Sequence, residues 1–158
     1  MEGSAFDELL FFRALGKAPV RALLIGRQAM ISLGMPVVTR DYDLWVHIDD
    51  MERLNEAVEP FELWPNRTPE EARRHGRYVL ENDEHIDVLV ARSVPTVDGV
   101  PVAFDDVWSR RQGIQLDERT CIHVPSLDDL VLTKRFGGRP RDAEDIRMIE
   151  AFRSRQGG

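Results

Sequence analysis

The chain has 158 residues, 42% hydrophobic and 31% charged, with 28 acidic against 21 basic side chains and a formal net charge of −7. These are the proportions of an ordinary soluble globular protein, and the length suits one hydrophobic core, so residues 1–158 are expected to form a single domain. The acidic balance argues against a broad footprint for nucleic acid or an anionic membrane, since both need clustered Lys and Arg. Two local basic groups remain as candidates for a basic groove, Arg73 and Arg74 with Arg77, and Lys134 and Arg135 with Arg139 and Arg141; a solvated helix face is the plainer reading of each. Cys121 is the only cysteine, which excludes an intramolecular disulfide and a cysteine metal cluster. No apolar run reaches the roughly 20 residues that span a bilayer, and the acidic N-terminal stretch lacks the organisation of a signal peptide, so a cytoplasmic setting is expected.

Residues 5–15 place Phe6, Leu9, Leu10 and Phe12 at helical spacing, from Ala5 to a stop at Gly16, the pattern of a packing helix. Pro19 introduces a strand over residues 21–25, and Gly26 turns it into a short helix over residues 27–33. A strand that ends on glycine and hands over to a helix brings free backbone N–H groups to one spot, a natural anion site. After a turn at Gly34 and Pro36, residues 40–48 form a strand in which Trp45, Val46 and His47 alternate as on a half-buried surface, with His47 at the core edge or exposed rather than a ligand. Asp49 and Asp50 start a helix through Val58, where the helix dipole favours them. Phe61, Leu63 and Trp64 mark a short buried strand or turn. Thr68, Pro69 and Glu71 form a capping box that opens a helix ending at Gly76. Residues 77–80 and 86–90 are apolar runs joined by a polar loop, an antiparallel hairpin.

A loop with a turn at Asp98 and Gly99 follows, then a short helix or turn over residues 104–111 with Trp108 buried. Residues 113–116 and 120–123 read as a hairpin of edge strands. Ser126 caps the next helix, whose apolar stripe is Leu127, Leu130, Val131 and Phe136. Gly137 and Gly138 with Pro140 break it, and Asp142 caps a last helix through Phe152.

The chemistry lies in the acids. Asp41 and Asp43, two apart on a strand, project from one face about 7 Å from each other. Like charges on one face repel, and a hard divalent cation between them resolves the conflict. Magnesium takes one or two carboxylates and completes its octahedron with water and phosphate oxygens, which points toward a bound nucleotide. Asp87, on the second strand of the hairpin, offers a third carboxylate as metal ligand or general base if that strand lies beside the first; alone it would read as a surface position.

Gly26 after a strand, Asp41-Tyr42-Asp43, and Asp87 within an apolar strand resemble the pattern of the DNA polymerase beta-like nucleotidyltransferase superfamily. The run Val124-Pro-Ser-Leu-Asp-Asp-Leu-Val-Leu-Thr-Lys134, followed by Arg139-Pro-Arg-Asp142-Ala-Glu-Asp145, is similar to its small bacterial branch, which includes the AbiEii-type toxins. The resemblance runs from about residue 23 to residue 150. It implies an α+β fold, a mixed sheet flanked by helices with further helices at the C-terminus, and transfer of an NMP from an NTP such as ATP to an acceptor hydroxyl. It further implies that Asp41, Asp43 and Asp87 are the catalytic acids and hold Mg2+, that Gly26, Arg27 and Lys134 bind the nucleotide, and that Asp145 supports the site. Where the superfamily has Gly-Ser or Gly-Gly, this chain has Gly26-Arg27; the arginine fork either grips a phosphate, or fills the pocket or pairs with Asp41 or Asp43 and silences the site. The acceptor stays open between tRNA, a protein side chain and a small antibiotic-like molecule. Two rival readings are a catalytically silent protein of the same fold, acting as a regulatory or toxin–antitoxin partner, and a small acidic interaction module for a basic partner or a structural cation.

Overall fold

One mixed five-stranded sheet organises the chain. The computed structural model describes residues 6–96, 99–137 and 139–157, without the side chains of residues 135–137 and 157. Ala5, Asp98, Gly138 and the Arg135 and Phe136 side chains, each named in the expectations above, lie outside them. Strands β1 (Ala22–Ile25), β2 (Tyr42–Val46), β3 (Trp64–Pro65), β4 (Arg77–Glu81) and β5 (His85–Leu89) form the sheet in the order β1-β2-β5-β4-β3. Only β2 and β5 run parallel, and the other neighbours are antiparallel. Helices α1 (Glu8–Lys17), α2 (Gly26–Ser32), α3 (Met51–Ala57) and α4 (Pro69–His75) are interleaved with these strands. A small hairpin, β6 (Ser93–Val94) with β7 (Val102–Ala103), leads into α5 (Phe104–Ser109). A longer hairpin, β8 (Gln112–Asp117) with β9 (Thr120–Val124), precedes α6 (Leu127–Gly137) and α7 (Pro140–Gly157). The α+β class and mixed sheet agree with the expectation.

Strand β2 is central and covered on both faces, which corrects the half-buried reading of residues 40–48. Leu44, Trp45 and Val46 are all fully buried, and His47 beyond them is buried too, its Nδ1 accepting the Asp49 N–H at 3.1 Å. A parallel pair at the middle of a sheet reads as a continuous apolar run for this reason. On one face Leu24, Leu44, Val46, Ile86 and Val88 pack with Phe11 and Phe12 of α1, Met30 of α2, Leu54 of α3 and Leu130 of α6. On the other, Leu23, Trp45 and Leu89 pack under Val94, Val102, Phe104 and Val107. The Trp45 indole N–H donates to the Ala91 carbonyl at 2.8 Å, so this large side chain leaves no polar atom unmet in the second core.

The turn chemistry at Thr68 is as expected: its hydroxyl accepts the Glu71 N–H, and the Glu71 carboxylate accepts the Thr68 N–H at 2.9 Å. Three expectations fail. Trp64 is 53% exposed, because β3 is a two-residue edge strand with no layer over its indole. Trp108 is half-buried, stacked on Phe104 with the Arg111 guanidinium 3.8 Å from its ring centroid. Asp142 is not the cap residue: it lies in the first turn of α7 and reaches back to accept the Arg139 N–H at 3.0 Å. No helix among the described residues is long and apolar enough to cross a membrane.

Candidate active site

The sheet face that buries Trp45 and Leu89 carries two carboxylates a step further along the same strands. Parallel pairing makes Asp43 of β2 and Asp87 of β5 register partners, so their side chains leave one face about 4.8 Å apart at the backbone. On the neighbouring strand Ile25 pairs with Asp43, which brings Gly26 alongside. Gly26 has φ +69°, and a Cβ there would sit 2.7 Å from Asp43 Oδ2. A side chain at this position would be strained and would also displace the carboxylate. These residues open onto a cavity of about 520 Å³. Gly26, Asp43 and Asp87 line one part of it, Lys134, Arg139 and Asp142 a second, and Asn66, Arg67 and Arg77 a third.

Asp43 is the perturbed acid of the site. Burial, then the neighbouring charges of Asp87 and Asp41, push its carboxyl up to about 6, against the smaller pull of Lys134 and Arg139. No hydrogen bond to its carboxylate occurs among the described residues; burial and charge alone act on it. Asp87 is half-exposed, with His85 Nε2 3.5 Å from its Oδ1. Asp41 is exposed one residue ahead of β2 and does not line the cavity, although its charge reaches Asp43. Among the described residues no group of three His, Cys, Asp or Glu side chains converges as a metal site. The expected trio is thus a facing pair with Asp41 outside it.

Arg27 neither fills the cavity nor meets Asp41 or Asp43. Its guanidinium donates to both carboxylate oxygens of Asp145, at 3.1 and 3.2 Å, and to the Val38 carbonyl at 3.2 Å. Lys134 lines the cavity, yet its buried Nζ is bound to Asp145 at 2.8 Å and lies 3.7 Å from Asp142. Burial would raise the Asp145 carboxyl, but the hydrogen bonds from Arg27 and Lys134 outweigh it and hold the acid below its ordinary value. Asp145 therefore ties α2, α6 and α7 together beside the site.

Sequence reasoning named neither Asn66 nor Arg67. Asn66 follows β3 and is pinned to β4, donating its N–H to Val79 O and accepting the Val79 N–H, while Arg67 lay hidden beside the Thr68 cap signal. Arg77 and Arg139 belong to the two basic groups noted in the sequence, and both line the cavity while Arg73 turns away to Glu52.

No protein-family model matches the chain, and no curated protein matches it in sequence. Its fold recurs among solved structures. TM1012 of Thermotoga maritima, a proposed nucleotidyltransferase, superposes with a TM-score of 0.60 at 16% identity over 87% of this chain and 86% of its own. The antibiotic-resistance factor ANT(2'')-Ia gives 0.62 at 14% identity over 93% and 89%. The lincosamide antibiotic adenylyltransferase LnuA, bound to lincomycin, gives 0.58 at 14% over 94% and 98%. The chain has a nucleotidyltransferase-like fold.

Proposed function

We propose that the chain, acting as one domain, is a nucleotidyltransferase that moves an NMP from an NTP to an acceptor hydroxyl and releases pyrophosphate. One observation carries the reading: Asp43 and Asp87 face each other in register with no hydrogen-bond donor on Asp43 among the described residues, and burial together with the Asp87 and Asp41 charges makes Asp43 hard to ionise. This donor set fits magnesium, which asks for one or two carboxylates and takes its remaining oxygens from water and phosphate. Asp43 and Asp87 would hold the ion, with Asp41 as the third acid from outside the cavity lining. A bound ion would offset the triphosphate charge and ease ionisation of the attacking hydroxyl.

The chain's own groups then have definite tasks. Gly26 leaves room for the Asp43 carboxylate at the mouth of the nucleotide site. Lys134 presents a fixed positive charge at the cavity wall, and Arg27 acts at one remove by holding Asp145. As the acceptor oxygen bonds to the α-phosphorus, the bond to the bridging oxygen breaks, pyrophosphate leaves with the electron pair, and Asp87 takes the hydroxyl proton. Catalysis of this kind is mainly positioning and charge neutralisation. The engagement of Arg27 by Asp145 rather than by Asp41 or Asp43 supports an open site over a blocked one. The AbiEii-type likeness of residues 124–145 adds a regulatory protein partner to the proposal.

The test is pyrophosphate release from each NTP with magnesium and a pool of acceptors (tRNA, protein and small hydroxyl compounds), for wild type, Asp43→Asn and Asp87→Asn. Release is expected from wild type only, with either substitution lowering it on the order of 10²–10³-fold, the scale of losing one group that stabilises transition-state charge. Equal release from all three proteins would sink the assignment.

A further inference from the structure

The cavity carries a second charged group on the far side of Asp87. The sheet order places Gly26 beside β1, then Asp43, then Asp87, and last β4 with the loop that follows β3. On β4, Val79 pairs with Asp87 and Arg77 with Leu89. Alternation puts Arg77 on the Asp87 face, one diagonal step or about 7–8 Å away. Arg67 is locked beside it, its guanidinium donating to the Arg77 carbonyl at 2.7 Å. Both arginines line the cavity.

Their charges are unspent. The other cations of the cavity are committed, Lys134 to Asp145 and Asp142 and Arg139 to Asp142. Among the described residues Arg67 and Arg77 pair with no acid, so one wall of the cavity carries two unpaired cations, the half-buried Arg67 fixed on the Arg77 carbonyl and the exposed Arg77. Folding gains nothing from that juxtaposition, and an anion resolves it. The planar forks match the oxygens of a phosphate.

We infer that Arg67 and Arg77 form the acceptor subsite, and that the acceptor is a hydroxyl compound carrying a phosphate group. This rests on the nucleotidyltransferase reading above. The attacking hydroxyl must reach Asp87, which takes its proton, and the arginines lie beyond Asp87 as seen from Gly26. A phosphate held there leaves a hydroxyl a few bonds away within reach of the acid. A cationic acceptor such as an aminosugar would meet like charge at the same wall.

The test compares matched probes: ribose 5-phosphate with ribose, a 5'-phosphorylated short oligoribonucleotide with its unphosphorylated twin, and an aminosugar. Binding is read by calorimetry on full-length protein with magnesium and a non-cleavable NTP analogue, and NTP binding separately by the thermal shift. The phosphorylated member of at least one pair is expected to bind about tenfold or more tightly than its twin, the scale of charged hydrogen bonds. Which pair responds distinguishes a small phosphate from a nucleic-acid end. Arg77→Gln and Arg67→Gln should erase the preference and leave the magnesium–NTP shift intact. Absence of any phosphate preference in wild type that retains the NTP shift would overturn this inference alone. Equal loss of NTP binding in the arginine variants would also overturn it, by assigning those arginines to the triphosphate. Absence of the NTP shift in wild type would overturn both readings.

Discussion

Asp43 and Asp50, seven residues apart on and just beyond β2, are treated in opposite ways. Asp50 accepts the Arg21 N–H at 2.8 Å and both arms of its guanidinium, with Arg53 Nη1 at 2.9 Å, and these bonds hold its carboxyl low despite burial. Asp142 and Asp145 are likewise held low by Arg139, Arg27 and Lys134. Asp43 has no such bond among the described residues, and burial, with the charges of Asp87 and Asp41, raises its carboxyl to about 6. Where this fold needs a buried carboxylate for architecture it supplies a cation, and where it withholds one a ligand has a reason to bind.

The contrast is sharpest in stability. Asp145→Ala leaves the buried Lys134 ammonium without its 2.8 Å partner. A loss of about 3–5 kcal/mol is expected, read as a lower denaturant midpoint at unchanged slope.

Asp43→Asn should act the other way. A rise from 3.8 to about 6 means that ionised Asp43 costs the fold up to about 3 kcal/mol at neutral pH. The folded state binds that proton more tightly than the unfolded chain, so the cost is absent below pH 3.8, grows as pH rises and is complete above about 6. Asp50, Asp142 and Asp145, with lowered values, contribute stability that is present above the ordinary carboxylate range and is lost as pH falls. Melting curves between pH 4 and 7 should show the advantage of Asp43→Asn over wild type rising with pH; a constant difference would argue against the unpaired acid.

Smaller effects probe the supports. Gly26→Ala combines a φ of +69° with a methyl 2.7 Å from Asp43 Oδ2, and a loss of about 1–3 kcal/mol is expected in thermal melts. Thr68→Ala removes one half of the capping box on α4 and should cost about 1 kcal/mol by the same measurement, with NTP response unchanged.

Much of this was legible in the sequence because the signals were local. The Thr68 box, the β4–β5 hairpin and the turn at Gly26 each follow from a few adjacent residues, and each is found. The facing of Asp43 and Asp87 needed one further condition, adjacency of β2 and β5, which the acid pattern suggested and the sheet supplies. Long-range pairing was the part that stayed hidden. Nothing near Arg27 announces Asp145, more than a hundred residues on, and nothing near Arg67 announces a cavity. The burial of Trp45 and His47 stayed hidden because alternation cannot reveal that a second layer, built from Val94, Val102, Phe104 and Val107, covers the other face. Asp49 and Asp50 both suit a helix start on charge grounds, yet only Asp50 is buried and clamped by Arg21.

The most direct measurement is the melting temperature of wild type and Asp43→Asn with NTP alone, magnesium alone and both together. Wild type should be stabilised by the combination more than by the sum of the separate additions, and Asp43→Asn, although more stable at the outset, should not respond. A variant that responds as wild type does, or a wild type indifferent to magnesium and NTP together, would contradict the assignment of the Asp43–Asp87 pair as a metal–nucleotide site.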